Sequence, residues 1–407
     1  MRSFSHHAEK VKLMNKNIHV IVATGEWHLD NLRYRRHRLA EYLLHHPDTE
    51  EVIWVCPTPE KKNGHWDKLD NGITQYAVSD LHANKLARFG RYHNLFNKNK
   101  LQSLKKYLEQ KQLSVKTLWF TFPGFPAMID ITEWDKTIYD CSDLWATSMT
   151  GKNSLVFQLR AASITQSERR IVHAVDNVMC TSDFLKENVI QKYKPTKEVH
   201  VYENGVEYDL FSKSTRQLKL PQDIDQKPVL GFIGGIKPKL DFLLLIQLMK
   251  QNQEWNLLLV GPDGTNGNEK FQELLSLPNV HYIGKIPPEE VPLYMNQIDI
   301  GLLPYKASEY NRAVFPLKLF EFLAAGKPVV GTNLPSTQKY EQPVVYEYVE
   351  GESLEGFSNN VTALLAEKDN AELAEKRKDI ARKHDWNVIF TTIYQDFFNK
   401  SSVKDRS

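Results

Sequence analysis

Residues 315–331 of the 407-residue chain read FPLKLFEFLAAGKPVVG. A loop ending in Pro316 leads into a run of helical apolar spacing, which predicts a helix that carries Lys318 and Glu321. Gly326 supplies a left-handed cap for that helix, and Pro328 then leads into a strand. A loop, helix and strand in this order indicate one unit of an α/β domain.

The same alternation of apolar strand-length runs and helical patterns extends outward from this stretch. It runs from Ile18 to Tyr202 and restarts at Val229, which favours two Rossmann-like, doubly wound α/β domains facing a central cleft. The predicted division is a disordered extension at 1–16, a first domain at 17–211, a linker at 212–227, a second domain at 228–384, a helix at 385–400 that crosses back to the first domain, and a disordered tail at 401–407.

Composition excludes several classes of protein. The formal net charge is only +2, so we predict no nucleic-acid partner. Cys56, Cys141 and Cys180 form no CxxC pair, which excludes a zinc ribbon and fits a reducing cytosol. No apolar run approaches the roughly 20 residues that span a bilayer, and the amino terminus has no signal-peptide pattern. We therefore expect a cytoplasmic protein.

The predicted helix after Pro316 has chemistry suited to a nucleotide. A helix amino terminus attracts anions through its backbone N–H groups, and Lys318 adds a positive charge there. Glu321, one turn further on, can accept two hydroxyl hydrogen bonds of the kind that a ribose diol offers. An ordinary surface helix with a solvated Lys and Glu has the same periodicity and remains the alternative.

The stretch resembles the carboxy-terminal signature of the GT-B glycosyltransferases, in particular the retaining group 1 family with its E-x7-E motif. Glu321 stands at the second glutamate, which in the family binds the ribose of the nucleotide, within a PLK-x-x-E form of the motif. The first glutamate position holds Ala313, and Glu309 and Asn311 are nearby candidates for its contact with the transferred sugar. The resemblance implies retention at the anomeric carbon.

Shorter segments resemble the same family in the same order. They are Asn204-Gly205-Val206 with Phe211, the LGFIGGI run at Leu230–Ile236, Val260–Pro262, and Gly284–Ile286. On its own, Asn-Gly is also a turn signal, and a glycine pair is a weak one. The resemblance implies a donor-binding set made of Gly234, Gly235, Gly261, Pro262, Ile286, Phe315, Pro316, Leu317, Lys318 and Glu321.

The first domain carries an acceptor-side set after its predicted strands. It comprises Gly25, Trp27, Arg35, Arg38 and Asp143. Arg35 and Arg38 share a helix face and are able to hold an anionic group, although a solvated basic helix is the alternative. Asp143 lies in a segment resembling the family's YD-x-x-D-x-W element, where a turn carboxylate is the alternative. We predict catalytic roles for Asp143 and Lys318.

A basic segment of the first domain indicates where an acceptor would lie. Between Lys85 and Lys116 there are nine Lys or Arg residues and one acid, Glu109, with apolar and aromatic residues between them. This pattern favours attachment to an anionic membrane surface at the inner face of the cell membrane, and a solvated face or a cover over the sheet is the alternative.

These resemblances predict a metal-independent glycosyltransferase that moves a sugar from a nucleotide-sugar donor, a UDP-sugar, to a glycan or lipid-linked acceptor, with no cofactor. Within the family, the chain resembles the teichuronic acid biosynthesis glycosyltransferases of bacterial wall assembly. Because of Ala313, a non-catalytic nucleotide-sugar-binding scaffold subunit remains an alternative. A nucleotide-sugar epimerase needs more carboxylates facing the sugar, and a dinucleotide oxidoreductase needs a GxGxxG that the ATGEWHLDN stretch lacks.

Overall fold

A computed structural model of the chain describes residues 16–29, 33–60, 64–81, 85–149, 151, 154–214, 224, 227–351 and 353–399. The described residues divide into two compact units: the first lies within Met1–Ser148, Lys152–Tyr202 and Tyr394–Ser407, and the second within Met149–Gly151 and Glu203–Ile393. The predicted tail at 401–407, the predicted extension at 1–16 apart from Lys16, and most of the predicted linker lie outside the described residues. Both units are α/β, as predicted.

The first unit is built on an eight-stranded sheet with the order β3-β4-β2-β1-β5-β6-β7-β8, parallel except for the edge strand β3. Its strands are β1 Asn17–Val22, β2 Thr49–Thr58, β3 His65–Lys68, β4 Thr74–Ser79, β5 Val115–Phe120, β6 Lys136–Cys141, β7 Asn177–Cys180 and β8 Val199–Val201. Its α-helices are α1 Arg35–His45, α2 Asn94–Asn97, α3 Gln102–Gln110, α4 Leu155–Ala174 and α5 Asp183–Tyr193. Shorter 3-10 helices cover Trp27–Leu29, Lys85–Tyr92, Asn99–Leu101 and Pro126–Asp130.

The second unit is built on a six-stranded, fully parallel sheet with the order β11-β10-β9-β12-β13-β14. Its strands are β9 Val229–Ile233, β10 Asn256–Val260, β11 Val280–Gly284, β12 Ile300–Pro304, β13 Val329–Thr332 and β14 Tyr346–Val349. Its α-helices are α6 Tyr208–Ser212, α7 Phe242–Gln251, α8 Glu269–Leu275, α9 Val291–Gln297, α10 Glu309–Ala313, α11 Leu317–Ala324, α12 Leu354–Ala366, α13 Ala371–Arg382 and α14 Trp386–Tyr394. The 3-10 helices are Pro288–Glu290 and Pro335–Tyr340.

The central strands are buried along their whole length because helices cover both faces of each sheet. All residues of β1, β9, β10 and β12 are buried. No helix of the described residues is both long and apolar enough to cross a membrane.

The carboxy-terminal residues pack in the first unit. After α14 the chain continues as a π-helix, Gln395–Asn399, which lies within the helical segment predicted at 385–400. Asp396 accepts a hydrogen bond of 2.7 Å from the Tyr202 hydroxyl, and the Phe398 ring stacks on Trp119 at 6.2 Å. Residues 395–399 therefore belong to the first unit, although they follow the second unit in the sequence.

Candidate functional site

The second unit has a glycine-lined site at the carboxyl edge of its sheet. Strands β9 and β12 are neighbours in the sheet but lead to connections on opposite sides, which makes this edge a topological switch point where α/β sheets bind ligands. Gly234 follows β9 with φ +150°, and Gly261 follows β10 with φ +138°. A Cβ at Gly261 would lie 2.0 Å from the Gly234 carbonyl oxygen, so the two loops pack backbone against backbone.

Lys318 lies over these glycine loops. A Cβ at Gly234 would meet Cε of Lys318 at 2.7 Å, so the aliphatic part of the lysine crosses the Gly234 backbone. Its Nζ is 3.0 Å from Oε2 of Glu321, one turn along α11, and both side chains are mostly buried. The structure therefore brings together Gly234, Gly261, Lys318 and Glu321, which come from three separate segments.

Tyr305, the residue that follows β12, lies near Glu321. It is fully buried, and burial, reinforced by the nearby Glu321 carboxylate, raises its pKa. The phenol therefore stays neutral at physiological pH. The sequence did not single out Tyr305, and its position after an apolar strand was the only signal available.

The loop before α11 is fixed by bonds within the second unit. The Asn204 side-chain amide donates to the Phe315 carbonyl at 2.8 Å, which gives the Asn-Gly segment a role beyond a turn. Phe315 and Pro316 are buried, and Leu317 is half-buried. Phe320 on α11 stacks on His384 at 3.9 Å, and buried Arg377 donates to the Gly326 carbonyl at the helix end at 3.1 Å. The helix α11 is thus held at its amino end by Asn204 and at its carboxyl end by Arg377.

The remaining predicted donor residues surround the same edge. The Pro262 carbonyl accepts from Ile236 N at 3.0 Å, which ties the β10 loop to the β9 loop that contains half-exposed Gly235. Gly261 N donates to Gly284 O at 2.8 Å, and Ile286, two residues on, is half-buried against the core. The Tyr282 hydroxyl, another group that the sequence did not reveal, donates to Gly261 O at 3.0 Å.

The position of the first family glutamate is apolar here. Ala313 is buried at the end of α10. Asn311 is also fully buried, and its side-chain amide donates to the carbonyls of Lys239 and Lys306 at 3.0 and 2.8 Å. Asn311 therefore ties loops together, whereas Glu309 is exposed.

In the first unit, the chain after β1 forms an aromatic cluster. The Trp27 ring lies 4.8 Å from His37 and 4.9 Å from Trp54, whose indole N–H donates to Gly25 O at 2.9 Å. Burial, followed by the charges of the arginines around it, lowers the pKa of His37 to about 3. Gly25 and Trp27 are half-buried at the carboxyl edge of the sheet.

The two predicted arginines have partners within their own unit. Arg35 Nε donates to both carboxylate oxygens of Asp140, at 3.1 and 2.8 Å, and both side chains are almost fully buried. Arg38 lies 3.5 Å from Glu41 with 12% of its side chain exposed. The pair that we expected to hold an anion is thus divided, with Arg35 in a buried ion pair and Arg38 nearer the surface.

Asp143 lies in the turn after β6 and is half-exposed. Its Oδ1 accepts from Leu144 N at 2.8 Å, as a turn aspartate does. Beneath this turn, buried Glu168 accepts hydrogen bonds from Tyr139 at 2.6 Å and Tyr193 at 2.7 Å, and burial raises its pKa. The described residues contain no group of three or more His, Cys, Asp or Glu placed to hold a metal ion.

Comparison with known proteins agrees with this architecture. The profile described as Glycosyl transferases group 1 matches residues 227–382. TuaH of Bacillus subtilis strain 168, designated a teichuronic acid biosynthesis glycosyltransferase, is 50% identical over 381 residues, which cover 92% of this chain and 96% of TuaH.

Solved structures share the fold at low identity. Sucrose-phosphate synthase from Thermosynechococcus elongatus matches with a TM-score of 0.72 and 15% identity, over 96% of this chain and 100% of that one. Anabaena HepE, solved with UDP and glucose, matches with a TM-score of 0.64 and 14% identity, over 95% of this chain and 100% of that one. These matches confirm the predicted two-domain fold class, and at this identity they show the fold alone. By its close relative and its matching profile, the chain belongs to the group 1 glycosyl transferases and is a glycosyltransferase of the GT-B fold.

Proposed function

We propose that this glycosyltransferase moves a sugar from a UDP-sugar to a glycan or lipid-linked acceptor during assembly of a teichuronic acid-like wall polymer. The observation that carries the proposal is Lys318 over the Gly234 and Gly261 loops, paired with Glu321 at the switch point of the second sheet. The designation of TuaH supports the polymer class, and the UDP and glucose in HepE support the donor.

The donor would bind at the amino end of α11. The first N–H groups of a helix have no intrahelical acceptor, so they and Lys318 form a site for the diphosphate. Glycine at 234 and 261 lets the backbone approach the phosphates closely. Because a lysine ammonium has three donors, Lys318 is able to keep Glu321 while it contacts a phosphate oxygen, and Glu321 has acceptor capacity left for a ribose hydroxyl.

In the transfer step, the bond between the anomeric carbon and the diphosphate oxygen breaks, and its electron pair leaves on UDP. The acceptor oxygen bonds to the anomeric carbon, and its proton passes to the departing diphosphate oxygen. Lys318 and the α11 amino end would stabilise the charge that develops on the diphosphate, which is the role that preorganised donors play in such reactions. Asp143 would orient the acceptor hydroxyl. The proposal includes that the transfer retains the configuration at the anomeric carbon and that it needs neither a metal ion nor a cofactor.

The proposed location is the cytoplasm, with peripheral attachment to the inner face of the membrane. The nine basic residues between Lys85 and Lys116 support this part, because such segments are attracted to anionic leaflets.

Thermal unfolding with added ligands tests the donor site. A ligand that binds only the folded protein raises the unfolding midpoint, so UDP and its cognate UDP-sugar should raise it while GDP, ADP and NAD do not, all without metal. Glu321→Ala should abolish the UDP shift, and Glu289→Ala, an exposed glutamate on a 3-10 helix of the same unit, should keep it. A shift with NAD alone, or a UDP shift that persists in Glu321→Ala, would contradict the proposed donor site.

A further inference from the structure

Six exposed apolar side chains of the first unit form what we call the apolar edge. They are Phe89 on the 3-10 helix Lys85–Tyr92, Leu95 and Phe96 on α2, and Leu155, Val156 and Leu159 on α4. Leu95 is 92% exposed, Leu155 71% and Leu159 64%. Single exposed apolar residues are common, whereas a group of this size on a soluble domain usually marks an interaction surface.

The two halves of the edge are joined by direct contacts. The helix α4 packs against the 3-10 helix, and His93 Nε2 lies 3.1 Å from the Ser163 hydroxyl, one turn beyond Leu159 on α4. The His93 ring meets Phe89 and Phe96 edge-on, each at 6.2 Å. The apolar side chains therefore continue from one segment to the other, although more than fifty positions separate them in the sequence.

The charge around the apolar edge is mainly positive. Residues 80–109 and 143–168, which contain the edge, hold four Asp or Glu residues, of which Asp80 pairs with Arg91 and Glu168 is buried, and nine Lys or Arg residues. Among them, Lys98 and Arg160 are exposed directly beside the apolar residues of α2 and α4. An apolar surface framed by cations matches an anionic bilayer, whose headgroups pair with the cations while its acyl region takes up the apolar side chains.

The apolar edge lies on the side of the first unit where attachment to a membrane would serve the proposed transfer. The 3-10 helix follows the carboxyl end of β4 and α4 follows that of β6, so both stand at the sheet edge that carries Gly25, Trp27 and Asp143. We propose that the apolar edge inserts shallowly into an anionic lipid bilayer, with α4 as an insertion element outside the basic segment Lys85–Lys116. This inference rests on the proposed function, because it would bring the acceptor-side residues to a lipid-linked acceptor.

Vesicle sedimentation of the full chain tests the proposal. The wild-type protein should sediment with phosphatidylglycerol-containing vesicles and much less with pure phosphatidylcholine vesicles. The triple variant Leu95→Ser, Leu155→Ser, Leu159→Ser should bind the anionic vesicles at least about ten-fold more weakly, since three partly inserted leucines are lost. Ile190→Ser and Leu243→Ser remove apolar side chains that are 41% and 50% exposed outside the apolar edge and the basic segment, and they should bind like the wild type.

A fluorescence readout separates insertion from adsorption by charge alone. The emission of Leu95→Trp should shift to the blue on anionic vesicles, whereas that of Ile190→Trp, outside the apolar edge and the basic segment, should not. Equal sedimentation of the triple variant and the wild type, or no blue shift at position 95, overturns insertion. A triple variant that changes self-association but not vesicle binding also overturns it and assigns the edge to a protein contact. The UDP-induced shift in unfolding midpoint should persist in every variant, so a failed donor site would be recognised independently of the membrane result.

Discussion

Lys318 Nζ lies 3.0 Å from Glu321 Oε2, and the same lysine side chain crosses the Gly234 backbone. The carboxylate holds the ammonium over the glycine loops before any ligand arrives. A cation that is already in place need not be reoriented when charge develops on a diphosphate, which is the condition under which such groups accelerate reactions most.

The first prediction concerns this cation. Lys318→Met keeps most of the side-chain stem and removes the charge, so we expect kcat to fall roughly 10²–10³-fold with a smaller change in the KM for the donor. Steady-state transfer kinetics with the cognate UDP-sugar measure this. Lys250→Met, at a lysine with 54% of its side chain exposed in the same unit, is the control and should be unchanged. A Lys318→Met enzyme with kcat within about twofold of the wild type would remove Lys318 from the transfer step.

The second prediction separates the two glycines of the site. Gly261→Ala places its Cβ 2.0 Å from a backbone oxygen that has no room to move, so the free energy of unfolding should fall by about 3 kcal/mol or more. Gly234→Ala is also strained at φ +150°, but its Cβ meets the flexible end of Lys318 rather than backbone, so this variant should lose less unfolding free energy than Gly261→Ala and should lose UDP affinity. Urea denaturation and UDP titration measure the two effects.

The control for these variants is Gly267→Ala. Its φ is +77° but nothing lies within 4 Å of the added Cβ, so it should cost only the about 1–2 kcal/mol of a left-handed alanine. A Gly261→Ala protein no less stable than Gly267→Ala would show that the two loops do not pack as described.

The elements with regular local patterns were predictable from the sequence. The helix around Lys318 ends at Ala324, close to its predicted cap at Gly326, whose φ is +73°. The edge strand His65–Lys68 was missed because its residues HWDK are mostly polar, and α4 was missed because its first turns, Leu155 to Leu159, are exposed and show no buried stripe.

Contacts between distant segments were not predictable in the same way. Gly234, Gly261 and Lys318 meet because the sheet places β9 beside both β10 and β12, an order that spacing along one sequence does not contain. Arg35 was predicted to hold a ligand because its helix face is basic, but Asp140 lies 105 positions away and could not be recognised as its partner. The residue types of the site were therefore predictable from the sequence, whereas their contact partners are determined by the fold.

The third prediction tests whether Arg35 is structural. Arg35→Met leaves the buried Asp140 carboxyl without its cation, which should cost about 3–5 kcal/mol of unfolding free energy at pH 7. The double variant Arg35→Leu, Asp140→Leu removes both charges and should recover most of that loss, as measured by urea denaturation. If the double variant folds and transfers sugar normally, Arg35 does not contact the acceptor; if it folds but is inactive, the acceptor role stands.

The fourth prediction concerns acid sensitivity and rests on His19 in β1. The side chain is fully buried, its Nδ1 accepts from the Trp119 indole at 3.2 Å, and burial, with a smaller effect of His46, lowers its pKa to about 3. In the unfolded chain an ordinary histidine takes up a proton below about pH 6.5, whereas the folded protein resists protonation until about pH 3. Because the unfolded state binds more protons in that window, His19 makes stability fall as the pH falls.

Between pH 7.5 and pH 5.0 this single group should remove about 2 kcal/mol of unfolding free energy. His19→Gln keeps an acceptor for Trp119 and has no proton to gain, so its stability should fall less than that of the wild type by this amount over the same interval. Urea denaturation at the two pH values gives the difference, in which all other titrating groups cancel. His28→Gln, at an exposed histidine of the same unit, is the matched control and should follow the wild type. Equal pH dependence of His19→Gln and the wild type would mean that His19 is hydrated in the folded protein, since only access to water would let it titrate normally.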